Sequence, residues 1–150
     1  MAKYDVDYSC GHNATIQLVG PTRERERKIE WMERGFCPEC FKSKKDAERT
    51  KAEAAAKEGI NLVALNGSEK QIKWADSLRA GFLANIKKQV ENAKAQNLAD
   101  DNVITKTLKA VTATVNRHHE SKFWIDNRDN LEVALDETYR EEATKIGLGK

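Results

Sequence analysis

The spacing of four residues near the start of the chain constrains its fold most. A Cys-x-His pair at Cys10 and His12 is followed by a Cys-x-x-Cys pair at Cys37 and Cys40. All three cysteines of the chain belong to this set, and with the histidine they offer four soft or borderline ligands, the tetrahedral set that Zn²⁺ prefers. Four protein ligands leave no open coordination position, so the pattern predicts one structural zinc ion per chain rather than a catalytic one.

The residues around the second pair fit such a site. Pro38 stiffens the turn between Cys37 and Cys40, and Cys40 opens the helix that follows, a placement typical of treble-clef zinc sites. The pattern specifies His12 least, because Asn13 or a water molecule could take its place. Structural zinc contributes on the order of 10 kcal/mol to the folding of small modules, so a head of roughly 60 residues gains much from it.

The Cys-x-x-Cys pair has a second interpretation, a redox-active dithiol with Cys10 merely buried. A thioredoxin-like motif requires a surrounding βαβ pattern, and the helix predicted before Cys37 does not supply one. An odd number of cysteines is also a poor disulfide framework. The sequence therefore favours a metal site.

Hydrophobic periodicity predicts strands first and helices afterwards. The two strands, at Tyr4–Tyr8 and Ala14–Val19, flank a turn, so we expect them to pair as a hairpin. A helix capped by Thr22 runs to about Arg34, and a second helix runs from the Cys-x-x-Cys turn to Glu58.

The second half of the chain is predicted to be helical. The apolar run Leu62–Leu65 is too short to assign and could be a strand. Ser68–Gln71 is a capping box that opens an amphipathic helix to about Ala95. The acidic pair Asp100–Asp101 opens another helix, and the last one follows a break near Asp126–Asn130.

These elements define the predicted fold class, which is α+β and mostly α. A small zinc-stabilised head, with a β-hairpin and helices, is expected over residues 1–65. A C-terminal helical bundle is expected over residues 66–150, with the boundary at Leu65–Gly67. Trp74 and Trp124 are predicted to anchor the core of the bundle.

Charge is distributed unevenly along the chain. The net charge is only +2, from 26 Lys and Arg against 24 Asp and Glu, which excludes a whole-molecule polycation. Residues 70–123 carry ten basic and five acidic side chains, a net of +5, whereas residues 126–150 carry four basic and seven acidic ones, a net of −3. We expect partner-binding residues in these two segments: Lys70, Lys73, Lys87, Lys94, Asp136, Glu137 and Glu141.

The two charged segments suggest different partners. Lysines on the long predicted helix could track nucleic-acid phosphates by counterion release. A lysine-rich helix face exposed to solvent has the same pattern, so the sequence leaves both interpretations open. The acidic segment at Asp126–Glu142 could compete for a nucleic-acid groove.

The sequence does not indicate a membrane protein or an enzyme. No run approaches the roughly 20 apolar residues of a membrane helix, and no signal-peptide core follows Met1, so we expect a cytoplasmic protein. Gly-rich phosphate loops, His-Glu-x-x-His and nucleophile elbows are absent, so we expect no catalysis. The adjacent His118 and His119 point about 100° apart on a helix and are expected to interact with its dipole and with nearby carboxylates.

Five motifs occur in order along the chain. They are Tyr8–His12, Arg25–Glu30, Cys37–Phe41, Gly67–Ala75 and Phe123–Arg128. Together they resemble a family of small zinc-ribbon or treble-clef proteins found in phages, plasmids and integrated elements of Gram-positive bacteria. The resemblance spans most of the chain and implies a zinc-stabilised fold in a bacterial host, but it transfers no activity. Proteins of this size and setting include inhibitors of host defence nucleases, among them anti-CRISPR proteins.

The expected function is non-enzymatic binding of a host protein or nucleoprotein target, with inhibition of a defence nuclease as its sharpest form. The alternative is a DNA- or RNA-binding accessory or regulatory protein that uses the basic helix at residues 70–94. A structural protein that self-associates is a third class, and the sequence leaves the oligomeric state open.

Overall fold

The computed structural model describes residues 2–148, and most of these residues are helical. Within this range a two-stranded antiparallel sheet is followed by six helices. The predicted fold class, α+β and mostly α, is therefore confirmed. No helix in the described part of the chain combines the length and apolarity needed to cross a membrane.

The chain begins with the predicted hairpin. Strand β1 (Ala2–Asp7) pairs with β2 (Asn13–Leu18), with Ala2 opposite Leu18. In the connecting turn the Tyr8 N–H donates to the carbonyl of His12 at 2.9 Å, and Gly11 adopts a φ of +81°, which glycine tolerates best. This tight turn brings the first Cys-x-His pair to the end of the hairpin.

Two helices follow the hairpin. Helix α1 (Thr22–Glu33) begins after Pro21, so Thr22 is its first helical residue and not the cap that the sequence predicts. The Thr22 hydroxyl accepts instead from the Arg25 guanidinium at 2.9 Å. Helix α2 (Pro38–Lys57) starts inside the Cys-x-x-Cys turn, two residues before Cys40, where the sequence predicts the helix to open.

Four helices make up the rest of the fold: α3 (Glu69–Ala95), α4 (Asp101–Arg117), α5 (Ser121–Asp126) and α6 (Leu131–Lys145). The predicted capping box is confirmed, because the Gln71 N–H donates to the Ser68 hydroxyl at 3.4 Å and the Ser68 N–H donates to the Gln71 side chain at 3.0 Å. At the next helix start, the Asp100 carboxylate accepts from the Val103 N–H at 2.7 Å.

The segment at residues 60–65 is not a strand. Side chains bond three of its backbone groups: Asn116 bonds the Val63 N–H at 2.8 Å and the Asn61 carbonyl at 2.9 Å. Arg79 donates to the Val63 carbonyl at 2.8 Å. These three groups therefore have partners without a neighbouring strand.

The chain divides into two compact units after Lys51, a point that lies within α2. This division comes earlier in the chain than the boundary predicted at Leu65–Gly67. The difference has a physical reason, since Leu65 is buried in the core of the second unit and Leu62 packs against that core.

Each unit has its own core. The first unit is built on Val6, Tyr8 and Cys37, a small set for an independent fold. In the second unit seven buried side chains form one cluster around the fully buried Trp124, whose indole N–H donates to the His118 carbonyl at 2.6 Å. Trp124 is thus a core anchor, as predicted.

Candidate metal centre

The hairpin turn and the start of α2 bring the four predicted ligands together. The three sulfurs of Cys10, Cys37 and Cys40 and a ring nitrogen of His12 all lie within 4.8 Å of one another. The His12 Nδ1 is 3.3 Å from the Cys40 sulfur and 3.7 Å from the Cys37 sulfur. Tetrahedral zinc, with bonds of about 2.0–2.3 Å, separates its ligand atoms by about 3.5–3.8 Å, so these two distances are close to those of a tetrahedral site.

Backbone amides hold the sulfurs in place. The Cys37 N–H donates to the Cys10 sulfur at 3.3 Å, and the Cys40 N–H donates to the Cys37 sulfur at 3.4 Å. Such hydrogen bonds from the surrounding shell orient metal ligands and stabilise their negative charge.

A second link connects the two ligand pairs without using a sulfur. Ser9 donates both its N–H and its hydroxyl to the Gly35 carbonyl, at 3.0 and 2.9 Å. The hairpin turn is therefore attached to the connection between α1 and α2. These hydrogen bonds hold the two ligand pairs close to each other without using a ligand atom.

The thiols differ in how readily they ionise. The hydrogen bond from the Cys37 N–H is the main cause that lowers the pKa of Cys10 to about 6. The pKa of Cys40 is raised to about 11, first by its hydrogen bond with the Cys37 side chain and also by the negative charge of its neighbours. Three thiolates this close repel one another, and the positive charge of a divalent cation bound between them would offset that repulsion and favour the deprotonated thiols.

The donor set fits one metal ion. Three thiolates and one imidazole are the ligand types of a closed, four-coordinate structural zinc site. The redox interpretation gives no role to the Cys10 sulfur or the His12 ring, whereas both lie at ligand positions here. Among residues 2–148, this is the only group of three or more Cys, His, Asp or Glu side chains placed to share a metal ion.

The predicted basic residues do not form one free row. Lys87 donates to the carbonyls of Ala55 and Glu58 at 2.9 and 2.8 Å, so it caps the end of α2. Lys94 is paired with Asp101 at 2.8 Å, and this hydrogen bond raises its pKa.

The other two predicted lysines, Lys70 and Lys73, are exposed in the first turns of α3. Of the four lysines that the sequence predicts as partner-binding on this helix, Lys87 and Lys94 thus have partners within the chain, and Lys70, Lys73 and Lys94 are exposed.

Two of the three predicted acidic residues are in ion pairs. Asp136 pairs with Arg140 at 2.8 Å, and Glu141 pairs with Arg117 at 2.5 Å. Glu137 is exposed. The negative charge of this segment is consequently offset in part by cations of the same unit.

The aromatic and histidine predictions have mixed outcomes. Trp74 is not a core anchor, because 49% of it is exposed and the Arg128 guanidinium lies 5.9 Å from its ring centroid.

His118 caps the end of α4 and stacks on Phe123 with ring centroids 3.9 Å apart. Burial lowers its pKa.

Sequence reasoning did not single out the exposed aromatic side chains of the first unit, of which Trp31 and Phe41 are 73% and 59% exposed. The sequence pattern that could have identified them is the set of basic residues one helical turn away on α1 and α2.

Comparison with protein-family models, with curated proteins and with solved structures gives no match for this chain.

Proposed function

We propose that this chain is a non-enzymatic binding protein whose first unit folds around one structural zinc ion. The observation that carries the proposal is the convergence of three sulfurs and one imidazole nitrogen within 4.8 Å. The first unit has a small apolar core that already includes Cys37. A metal ion bound there stabilises a unit that burial alone stabilises weakly.

The binding role is supported by a groove in the second unit. The groove encloses about 410 Å³ between α3, α4 and α6. Its apolar lining includes Ile86, Val90, Ile104, Val111, Leu135 and Tyr139.

The α6 side of the groove also carries Glu132 and Asp136. We propose an amphipathic helix of a host protein as the occupant, with its apolar face in the groove and basic residues toward these carboxylates.

In the setting implied by the family resemblance, the sharpest form of this proposal is inhibition of a bacterial defence nuclease. We also propose the cytoplasm of a bacterial host as the location of the chain. Nucleic-acid binding through the helix at residues 70–94 is less well supported, because Lys87 already donates to two backbone carbonyls of its own chain.

Metal content tests the first half of the proposal. Purified protein is expected to contain one zinc per chain by elemental analysis. Cys37→Ser should lose the metal, because it removes the most buried ligand. Lys70→Ser is the control, since this exposed lysine lies outside the site. Wild-type protein that folds fully with less than half a zinc per chain would overturn the metal assignment.

Affinity capture from host lysate, with and without nuclease treatment, tests the second half. Ala93→Arg fills the groove, whereas Ala84→Arg makes the same change at an exposed position of the same helix. A partner that survives nuclease treatment and is lost only with Ala93→Arg supports the proposal. A partner retained equally by both variants would show that the groove is not the binding site.

A further inference from the structure

We infer that the first unit binds single-stranded nucleic acid through exposed aromatic side chains on α1 and at the start of α2. The aromatic–basic surface is defined as Trp31 on α1, Phe36 in the connection between α1 and α2, and Phe41 on α2, together with the lysines and arginines near them. This surface shares no residue with the helix at residues 70–94 or with the lining of the groove of the second unit. The inference rests on the proposed metal centre, which fixes the backbone between two of the aromatic rings, Phe36 and Phe41.

The first observation is exposure. Trp31 is 73% exposed, Phe41 59% and Phe36 45%, in a unit whose core cluster is built on three buried residues. Single exposed apolar side chains are normal on protein surfaces. Three large aromatic rings left open on one small unit exceed that pattern and indicate a binding surface.

The second observation is the charge of the neighbours. On a helix, residues three and four positions apart share a face. The charged neighbours of Trp31 at those positions are Arg27, Lys28 and Arg34, all exposed. Arg34 also approaches Glu30 at 4.0 Å, but such a solvent-exposed pair contributes little and leaves the cation available.

At the start of α2, Phe41 also has basic residues on its own face of the helix. Lys44 and Lys45 lie three and four positions after Phe41, and both are exposed. The Lys44 ammonium also lies 4.9 Å from the centroid of the Phe36 ring. One lysine therefore connects the two phenylalanines.

The proposed metal centre positions this part of the surface. Phe36 immediately precedes Cys37, and Phe41 immediately follows Cys40. The amide hydrogen bonds between the cysteines fix the backbone between the two rings. The rings are consequently presented by a rigid turn, which reduces the entropy lost when a ligand binds.

Open aromatic rings flanked by cations match the chemistry of single-stranded nucleic acid. Unpaired bases stack on aromatic faces, while Lys and Arg neutralise the phosphates between them. A duplex hides its base faces, and an acidic peptide offers charge without a base to stack. The net charge of residues 2–51 is only +2, from eleven basic and nine acidic side chains, so the inference depends on the local pattern.

Fluorescence anisotropy with a labelled 20-nucleotide oligo(dT) and full-length, zinc-loaded protein tests the inference. Binding is expected to weaken between 50 and 200 mM salt, as phosphate contacts require. Trp31→Ala and Phe41→Ala should each lower the affinity about 5- to 100-fold, the range for losing one stacked base. Trp31→Phe should retain most of it.

Trp74→Ala is the matched control, because this aromatic is also about half exposed but lies in the second unit. Its affinity should equal that of the wild type. An equal loss with Trp74→Ala, no loss with Trp31→Ala, or equal affinity for a labelled poly-glutamate chain would each overturn the inference.

Zinc content and circular dichroism are measured on the same samples. Folded protein with one zinc per chain that does not bind the oligonucleotide would refute this inference alone and leave the metal proposal standing. Folded protein without zinc would refute the metal proposal on its own evidence, whatever the oligonucleotide does.

Discussion

At the residue scale, Gly67 occupies a position where both the backbone conformation and the surrounding space disfavour a side chain. Its φ is +146°, a conformation that other residues rarely adopt. A Cβ at this position would lie 3.0 Å from both the Cβ and the Oγ of Ser121, which is fully buried. The Ser121 N–H donates to the Asn66 carbonyl at 2.8 Å, so the two segments are held together next to the contact.

Gly67→Ala is therefore expected to destabilise the second unit by about 1–3 kcal/mol, measured by urea denaturation. Gly81→Ala is the matched control, because Gly81 is helical and exposed and has no atom within 4 Å of the added methyl group. That change should stabilise the protein by about 0.5–1 kcal/mol. A stability loss at Gly81 equal to that at Gly67 would contradict this explanation.

Asp76 makes the clearest pH-dependent contribution in the second unit. Its burial would raise the pKa, but hydrogen bonds from Lys57 and Arg79 outweigh that effect and lower it. Arg79 is itself buried, and its guanidinium lies 3.0 Å from the carboxylate. A carboxyl whose pKa is lower in the folded than in the unfolded chain stabilises the fold above its unfolded pKa, and that stabilisation is lost as the pH falls through the folded pKa.

Asp76→Asn should accordingly cost about 1–3 kcal/mol at pH 7 and flatten the loss of stability below about pH 4. Asp46→Asn is the comparison, because its pair with Arg49 is exposed and such pairs contribute little. Thermal denaturation between pH 3 and pH 7 measures both. If the two variants follow the same pH profile, the network around Asp76 is not its cause.

At the scale of elements, the sequence predicts the helix starts and strands that neighbouring residues determine. The capping box at Ser68 predicts the start of α3, and the alternating β-formers predict the hairpin. Helix α5 has only six residues, fewer than two turns, so it is too short to show a repeating apolar pattern and periodicity does not predict it. The apolar run at Leu62–Leu65 resembles a strand, but side chains from distant helices bond its backbone.

At the candidate site, too, the sequence predicts what residue types and spacing determine and does not predict contacts between distant elements. Cys and His spacing predicts the four ligands because metal chemistry narrows the acceptable residue types. The state of Lys87 is not predictable in this way, since its partners are backbone carbonyls at the end of another helix. The exposure of Trp74 likewise depends on how α3 packs against other helices. The residues of its own motif do not predict that packing.

At the scale of the whole molecule, the two units depend on different forces. The first has a small core that includes a proposed metal ligand, and the second has a larger apolar cluster with no ligand in it. Chelation is therefore expected to unfold the first unit and leave the second folded.

Amide hydrogen exchange at each residue after zinc removal measures this difference. Protection should be lost in the strands β1 and β2 and retained around Trp124. A single transition in which both regions lose protection together would contradict the expectation that the units fold independently.

The most direct test of the central claim is X-ray absorption at the zinc edge of the purified protein. The proposed centre predicts three sulfur neighbours at about 2.3 Å and one nitrogen at about 2.0–2.1 Å. In His12→Ala the nitrogen shell should change while the three sulfurs remain. A wild-type spectrum with four sulfurs, or with only oxygen and nitrogen neighbours, would contradict the assignment of Cys10, His12, Cys37 and Cys40 as the ligands.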